Sequence, residues 1–125
     1  MRLWHESLIP VLPRQQLLGQ HRECCALRGH GWNKPHATVN YVFQYSPFKL
    51  YQYHMLVIRE MQRRGYQNDT NWENPAYRGK TCPPYKHVPE RLTPYTSYPE
   101  HDTIYLKECL ANLAAKEIHI AVEDL

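Results

Sequence analysis

The 125-residue sequence predicts an all-α domain, and three observations carry that prediction. Three segments place apolar residues at spacings of three and four between residues that start and stop helices. No strand-turn-strand alternation competes with them. The length suits one hydrophobic core and is short for two, so residues 1–125 are expected to form a single domain. The expected architecture is three main helices with long aromatic and Pro-rich connections.

The first helix opens near Leu12-Pro13-Arg14, where Pro13 suits a first helical position, and stops at Arg28-Gly29, a basic last turn followed by glycine. Leu17, Leu18, His21, Cys24 and Cys25 share one of its faces. The second opens at Ser46-Pro47, a hydroxyl cap before a first-turn proline, and closes at Arg63-Arg64-Gly65. Its stripe is Leu50, His54, Val57, Ile58 and Met61. The third runs from about His101 to Glu117 with Leu106, Leu110 and Leu113 inward and Ser97 or Asp102 as cap. Between the first two, "TVNYVFQY" has β-propensity and reads as a short extended stretch. The connection from Gln67 to Glu100 exceeds the usual loop length, and its Tyr and Trp content predicts that it packs onto the helices.

Ten tyrosines and ten prolines make the core modest and aromatic. No window approaches the roughly 20 apolar residues of a membrane span, and "MRLWHESLIP" lacks the apolar run of a secretory signal. A cytoplasmic monomer with no membrane partner is expected, its four cysteines reduced. The formal charge of +3 is uneven. Residues 1–98 hold thirteen Lys and Arg against six Asp and Glu, whereas residues 99–125 hold two against six. The basic part suits a polyanion such as nucleic acid.

On a helical wheel Glu23 points away from the apolar stripe, between Gly19 and Ala26, with Gln15, Gln16, Arg22 and Leu27 at the border. A mid-helix glycine costs roughly 1 kcal/mol relative to alanine, so close approach of a chain segment or ligand is expected there.

The run "LPRQQLLGQHRECCALRG", the helix end "EMQRRGY" and "YRGK" at 77–80 resemble the pyrimidine-dimer DNA glycosylase family typified by phage endonuclease V, in particular a bacterial branch of it. The resemblance covers roughly residues 1–80 and rests most on Arg22-Glu23 and "RRGY" in this order and spacing. It implies a helical DNA repair enzyme that attacks the sugar of a damaged nucleotide with the α-amine of its first residue. The attack expels the base, forms an imine and permits β-elimination of the strand, with abasic-site lyase activity as the result. It further implies Met1 as the nucleophile's residue and Glu23 as acid-base group and charge stabiliser. Arg2, Gln15, Arg22, Arg28 and Lys34 are the expected contacts to damaged double-stranded DNA. No metal or organic cofactor is required by this chemistry.

The chain departs from the family pattern in places. The family's mature chain begins Thr-Arg, whereas this one reads Met1-Arg2, and so large a second residue keeps Met1 in place. Setting the Met1 amine on the family's threonine amine puts Arg2 on the arginine that follows it, one residue out of register with the Glu23 helix. The family's aromatic C-terminal segment has no counterpart in "EIHIAVEDL", and the aromatic residue beside the Arg-Glu pair is His21 here. The same scaffold without catalysis would be a nucleic-acid-binding protein. A small Cys/His metal-binding domain is the third reading, with His21 and Cys24 or Cys25 completed by His30, His36, His54 or Cys82, although no CxxC, HxxxH or HExxH spacing occurs and His21, Cys24, Cys25 and His54 read first as core-facing residues.

Overall fold

The computed structural model describes residues 2–35, 38–88 and 93–125. The three expected helices are α1 (Arg14–Arg28), α2 (Pro47–Arg63) and α3 (Thr103–Ala115). Among the described residues four short 3-10 helices accompany them, one before α1, one in each connection and one after α3, and there is no strand, so the chain is all-α. No described helix is long and apolar enough to cross a membrane.

Local chemistry explains the helix ends. The Ser46 hydroxyl accepts the Lys49 N–H and Pro47 follows at the first helical position. Asp102, not Ser97, caps α3 by accepting the Tyr105 N–H at 2.8 Å. Pro13 is the cap of α1 itself, one residue outside the helix, and its carbonyl accepts from Leu17 at 3.0 Å. The expected extended stretch is instead a 3-10 helix, Asn40–Gln44. Val39 and Val42 are both fully buried, and a period of three sends them to one side, where a strand would have sent them to opposite sides. On α3 the inward residues are Cys109 and Leu113, with Leu106 and Leu110 half-buried at the margins.

α1 and α2 pack face to face, and the N-terminal arm lays Leu3, Trp4, Leu8 and Leu12 into the same core. The inward line of α1 is Leu17, Gln20, Cys24, Leu27 and Arg28. At 100° per residue it is rotated by roughly 70° from the hydropathy stripe. Two polar residues sit inside the line, which hydropathy does not register.

Tyrosines fasten the long connection down, as its composition predicts. Lys49 Nζ donates to the Thr96 carbonyl at 2.5 Å among the rings of Tyr45, Tyr95 and Tyr98, and Gln52 donates to the Thr93 carbonyl at 2.6 Å. His101 bridges Glu6 and Tyr41, at 2.6 Å from the Glu6 carboxylate and 2.5 Å from the Tyr41 hydroxyl. Its ring stacks on Tyr105 at 4.7 Å, while the Tyr95 hydroxyl bonds the other Glu6 oxygen. Burial pushes the Glu6 carboxyl up, but these hydrogen bonds outweigh it and hold the group below the usual carboxylate range.

Arg28 is the second anchor, and here the structure corrects the expectation of a DNA contact. The residue is 3% exposed. Its guanidinium donates to the carbonyls of Trp72 at 2.8 Å, Asn74 at 2.9 Å and Tyr77 at 3.0 Å, and to His54 Nδ1 at 2.9 Å. The Trp72 ring lies 4.9 Å and the Tyr51 ring 5.2 Å from it. Arg78 answers from the loop, donating to the carbonyl of Arg28 at the end of α1 and to that of Gly29, which also accepts the Trp32 N–H. A Cβ at Gly29 would lie 2.8 Å from the Arg78 carbonyl, so only glycine allows that approach.

Arg28→Met removes the donors of three carbonyls and one imidazole, and the expected loss of stability is about 3 kcal/mol or more by urea denaturation. Loop 69–80 becomes the first site of limited proteolysis in that variant. The protein is also expected to be acid-labile. Burial holds His21 and His54 below the ordinary 6.5, so unfolding takes up protons as pH falls through that value. Folded-state stability therefore drops progressively below about pH 6.5, by up to about 1.4 kcal/mol per pH unit for each histidine. His54→Gln, which keeps an acceptor for Arg28 but does not titrate, flattens the fall of melting temperature between pH 7.5 and 5.5.

Candidate active site

Gln20 joins the opening of the chain to α1. It is 1% exposed, and its amide is bonded on every side. Oε1 accepts the Trp4 N–H at 2.7 Å and lies 3.0 Å from the Tyr53 hydroxyl, whose proton is shared with the Trp4 carbonyl at 2.5 Å. Nε2 donates to the Arg2 carbonyl at 2.9 Å and to Glu23 Oε2 at 2.9 Å. The helical spacing of Gln20 and Glu23, three residues, puts both side chains under the arm.

Glu23 therefore sits at the rim of the interior rather than opposite it. It is half-buried and lines an open cleft of about 240 Å³ with Arg2, Trp4, Thr38, Asn112 and Lys116. Lys116 lies over the Trp4 ring, its Nζ 5.5 Å from the centre, and the Arg2 guanidinium is 5.6 Å from the Tyr105 ring. Burial raises the Glu23 carboxyl above the ordinary 4.5, against the opposing pull of the Arg2 N–H and the Gln20 amide. A carboxyl raised by burial and flanked by two cations in a cleft can take part in proton transfer and face an anionic ligand.

The remaining expected residues divide. Met1 lies outside the described residues, and Arg2, next to it, is in the cleft wall. Gln15 and Arg22 are exposed on α1 and border a shallow groove of about 360 Å³ with Arg14 and Leu18. A Cβ at Gly19 would meet the Arg22 guanidinium at 3.8 Å and, among the described residues, nothing else within 4 Å. Lys34 is exposed on the loop after α1. Arg28 is interior and belongs to the loop anchor already described. The sequence reading missed Gln20, Asn112 and Lys116. Gln20 stands in line with Leu17, Cys24 and Leu27 at spacings of three and four, a polar residue inside an apolar row. Asn112 and Lys116 are four apart on one side of the third helix, but nothing local says that this side meets Glu23.

A His/Cys cluster does form, with ligand-capable atoms of His21, Cys25 and His54 within 4.8 Å of one another. Arg28 decides its chemistry. The guanidinium can only donate, so His54 Nδ1 accepts and the proton of the neutral ring is on Nε2. Nε2 then donates to His21 Nδ1 at 2.8 Å and has no lone pair to offer a metal ion. Cys25 is 3.8 Å from the nearest His21 nitrogen, and burial pushes its thiol up to about 12, far from the thiolate that a metal takes. The cluster is a hydrogen-bonded relay hung from Arg28.

No curated protein and no solved structure matches the chain significantly. The profile of the family described as pyrimidine dimer DNA glycosylase matches residues 1–74, which takes in the arm, α1 with Gln20 and Glu23, and α2. Matched over more than half of its length, the chain belongs to the pyrimidine dimer DNA glycosylase family, a family of DNA repair enzymes whose substrate is DNA.

Proposed function

We propose that the protein removes damaged pyrimidines from duplex DNA and then cleaves the abasic strand, with the Met1 α-amine as nucleophile and Glu23 as acid-base group. The observation that carries this reading is that Gln20 Nε2 holds both the Arg2 carbonyl and Glu23 Oε2, each at 2.9 Å, so that the second residue of the chain and Glu23 line one cleft. In this proposal the amine of the residue bonded to Arg2 reaches the same sugar ring as Glu23.

In the first step the unprotonated amine bonds to C1′ of the nucleotide and the glycosidic bond breaks, its electron pair leaving with the base. Glu23 stabilises the positive charge that develops on the sugar. Proton transfer to O4′ opens the ring, the nitrogen loses its remaining proton, and a C1′=N imine results. Loss of a C2′ proton then expels the 3′ phosphate, and water hydrolyses the imine to return the amine. An α-amine of ordinary pKa, about 7.7–8.0, is partly unprotonated at neutral pH. Burial raises the Glu23 carboxyl, which favours its part as a proton carrier. Arg2 and Lys116 suit the flanking phosphates, and Arg22, Gln15 and Lys34 extend a polar and basic surface along and beyond α1. Reaching C1′ in a stacked duplex requires the DNA to be kinked or a nucleotide to be turned out.

Borohydride reduction during incubation with dimer-containing or abasic duplex is expected to trap a covalent adduct, mapped by mass spectrometry to the Met1 amine. Intact mass fixes the N-terminal residue in the same sample. Acetylation of that amine abolishes the adduct, and Glu23→Gln lowers base release by about 100-fold or more. DNA binding with no adduct on either substrate would assign the scaffold to nucleic-acid binding alone. Arg22→Ala and Lys34→Ala are each expected to reduce the slope of log K against log salt by about one, read by fluorescence anisotropy.

A further inference from the structure

Gln20 is not among the groups that the proposed chemistry uses, yet its surroundings tie it to the site. A carboxamide has one acceptor oxygen and one two-proton donor, and here both ends are saturated. The oxygen faces the Trp4 N–H and the Tyr53 hydroxyl, and the nitrogen faces the Arg2 carbonyl and Glu23 Oε2. Turning the amide over would set its oxygen against the Arg2 carbonyl and the Glu23 carboxylate, and its NH2 against the Trp4 N–H. Only one orientation is compatible with these neighbours. At 1% exposure, water cannot replace any of the four partners.

We propose that Gln20 is a positioning residue: its amide sets how the opening of the chain lies against Glu23 and presents the Glu23 carboxylate to the cleft in one orientation. The inference rests on Glu23 acting as the acid-base group. One amide nitrogen carries both relationships, since the same Nε2 holds the Arg2 carbonyl and the Glu23 oxygen. A shift of the arm is therefore felt at the carboxylate, and a change of charge on the carboxylate is felt at the arm. Tyr53 of α2 backs the amide oxygen, so the packing of α1 on α2 sets the position of the whole assembly. A carboxylate held this way enters the reaction without first losing rotamer freedom.

The test begins with the unmodified protein. The side-chain amide protons of Gln20, followed by NMR across pH, are expected to shift in one step at the same midpoint as the Glu23 carboxyl carbon, and the step is absent in Glu23→Gln. In Gln20→Glu a second carboxyl shares the site, and the Glu23 midpoint rises by about one pH unit or more. In Gln20→Met the donor is lost, and the midpoint rises by a smaller amount. The pH profile of base release moves with it in each variant. A Gln20 that only supports the fold would lower the melting temperature of Gln20→Met and leave the Glu23 midpoint where it is. That result overturns the proposal, and amide protons silent to pH in the unmodified protein overturn it even if both variants fail to fold. A silent amide with an essential Glu23 overturns this proposal alone, whereas a responsive amide with full activity in Glu23→Gln overturns the acid-base role and with it the positioning role.

Discussion

The need to satisfy one buried amide organises the functional end of this molecule. Gln20 faces inward between Leu17 and Cys24, and in such a place each unmatched polar atom would cost about 1–3 kcal/mol. Its partners come from three parts of the chain: the arm at Arg2 and Trp4, α1 itself at Glu23, and α2 at Tyr53. Meeting that demand brings the opening of the chain to the side of α1 that carries Glu23. The cleft follows from it, because the arm forms one wall and α3, with Asn112 and Lys116, forms another.

Arg28, two turns further along α1, does for the loop what Gln20 does for the arm. Both are polar residues turned into the core, and both hold chain that lacks regular hydrogen bonding of its own. Arg28 can serve three carbonyls and an imidazole at once because its guanidinium is a flat fork with five N–H groups. The consequence reaches His54 and His21, whose proton positions are set by that fork. A pair of histidines beside a cysteine resembles a metal site in composition, and donor geometry makes it something else. A third polar anchor, Glu6 with His101 and Tyr41, closes the far end of the chain onto the arm.

The same economy of buried polar groups shapes the charge of the surface. Arg28 is withdrawn into the interior, and the basic end of α2 is partly engaged by Glu60, which bonds both Arg63 and Arg64. Of the expected DNA contacts Arg22 and Lys34 stay exposed, and Lys116 lies in the cleft itself. Lys116 comes from the acidic last quarter of the sequence, so the acidic balance there does not describe the part of α3 that meets the site.

Much of the architecture was legible from the residues alone. Caps and stops such as Ser46-Pro47, Asp102 and Arg28-Gly29 act over three or four residues, and periodic apolar spacing marks a helix whatever it packs against. The tyrosine-rich connection packed as its composition required. What the sequence by itself determined was therefore three helices, their limits, and an Arg-Glu pair in the middle of the first. Tertiary structure alone decided which side of α1 turns inward, that Glu23 stands at a rim, that Arg28 is an anchor rather than a DNA contact, and that Lys116 and Asn112 share a cleft with Glu23. The physical reason is that hydropathy ranks a side chain in isolation. A glutamine or arginine becomes an interior residue only when partners such as Trp4 and Tyr53, or Trp72, Asn74 and Tyr77, arrive from distant positions in the chain.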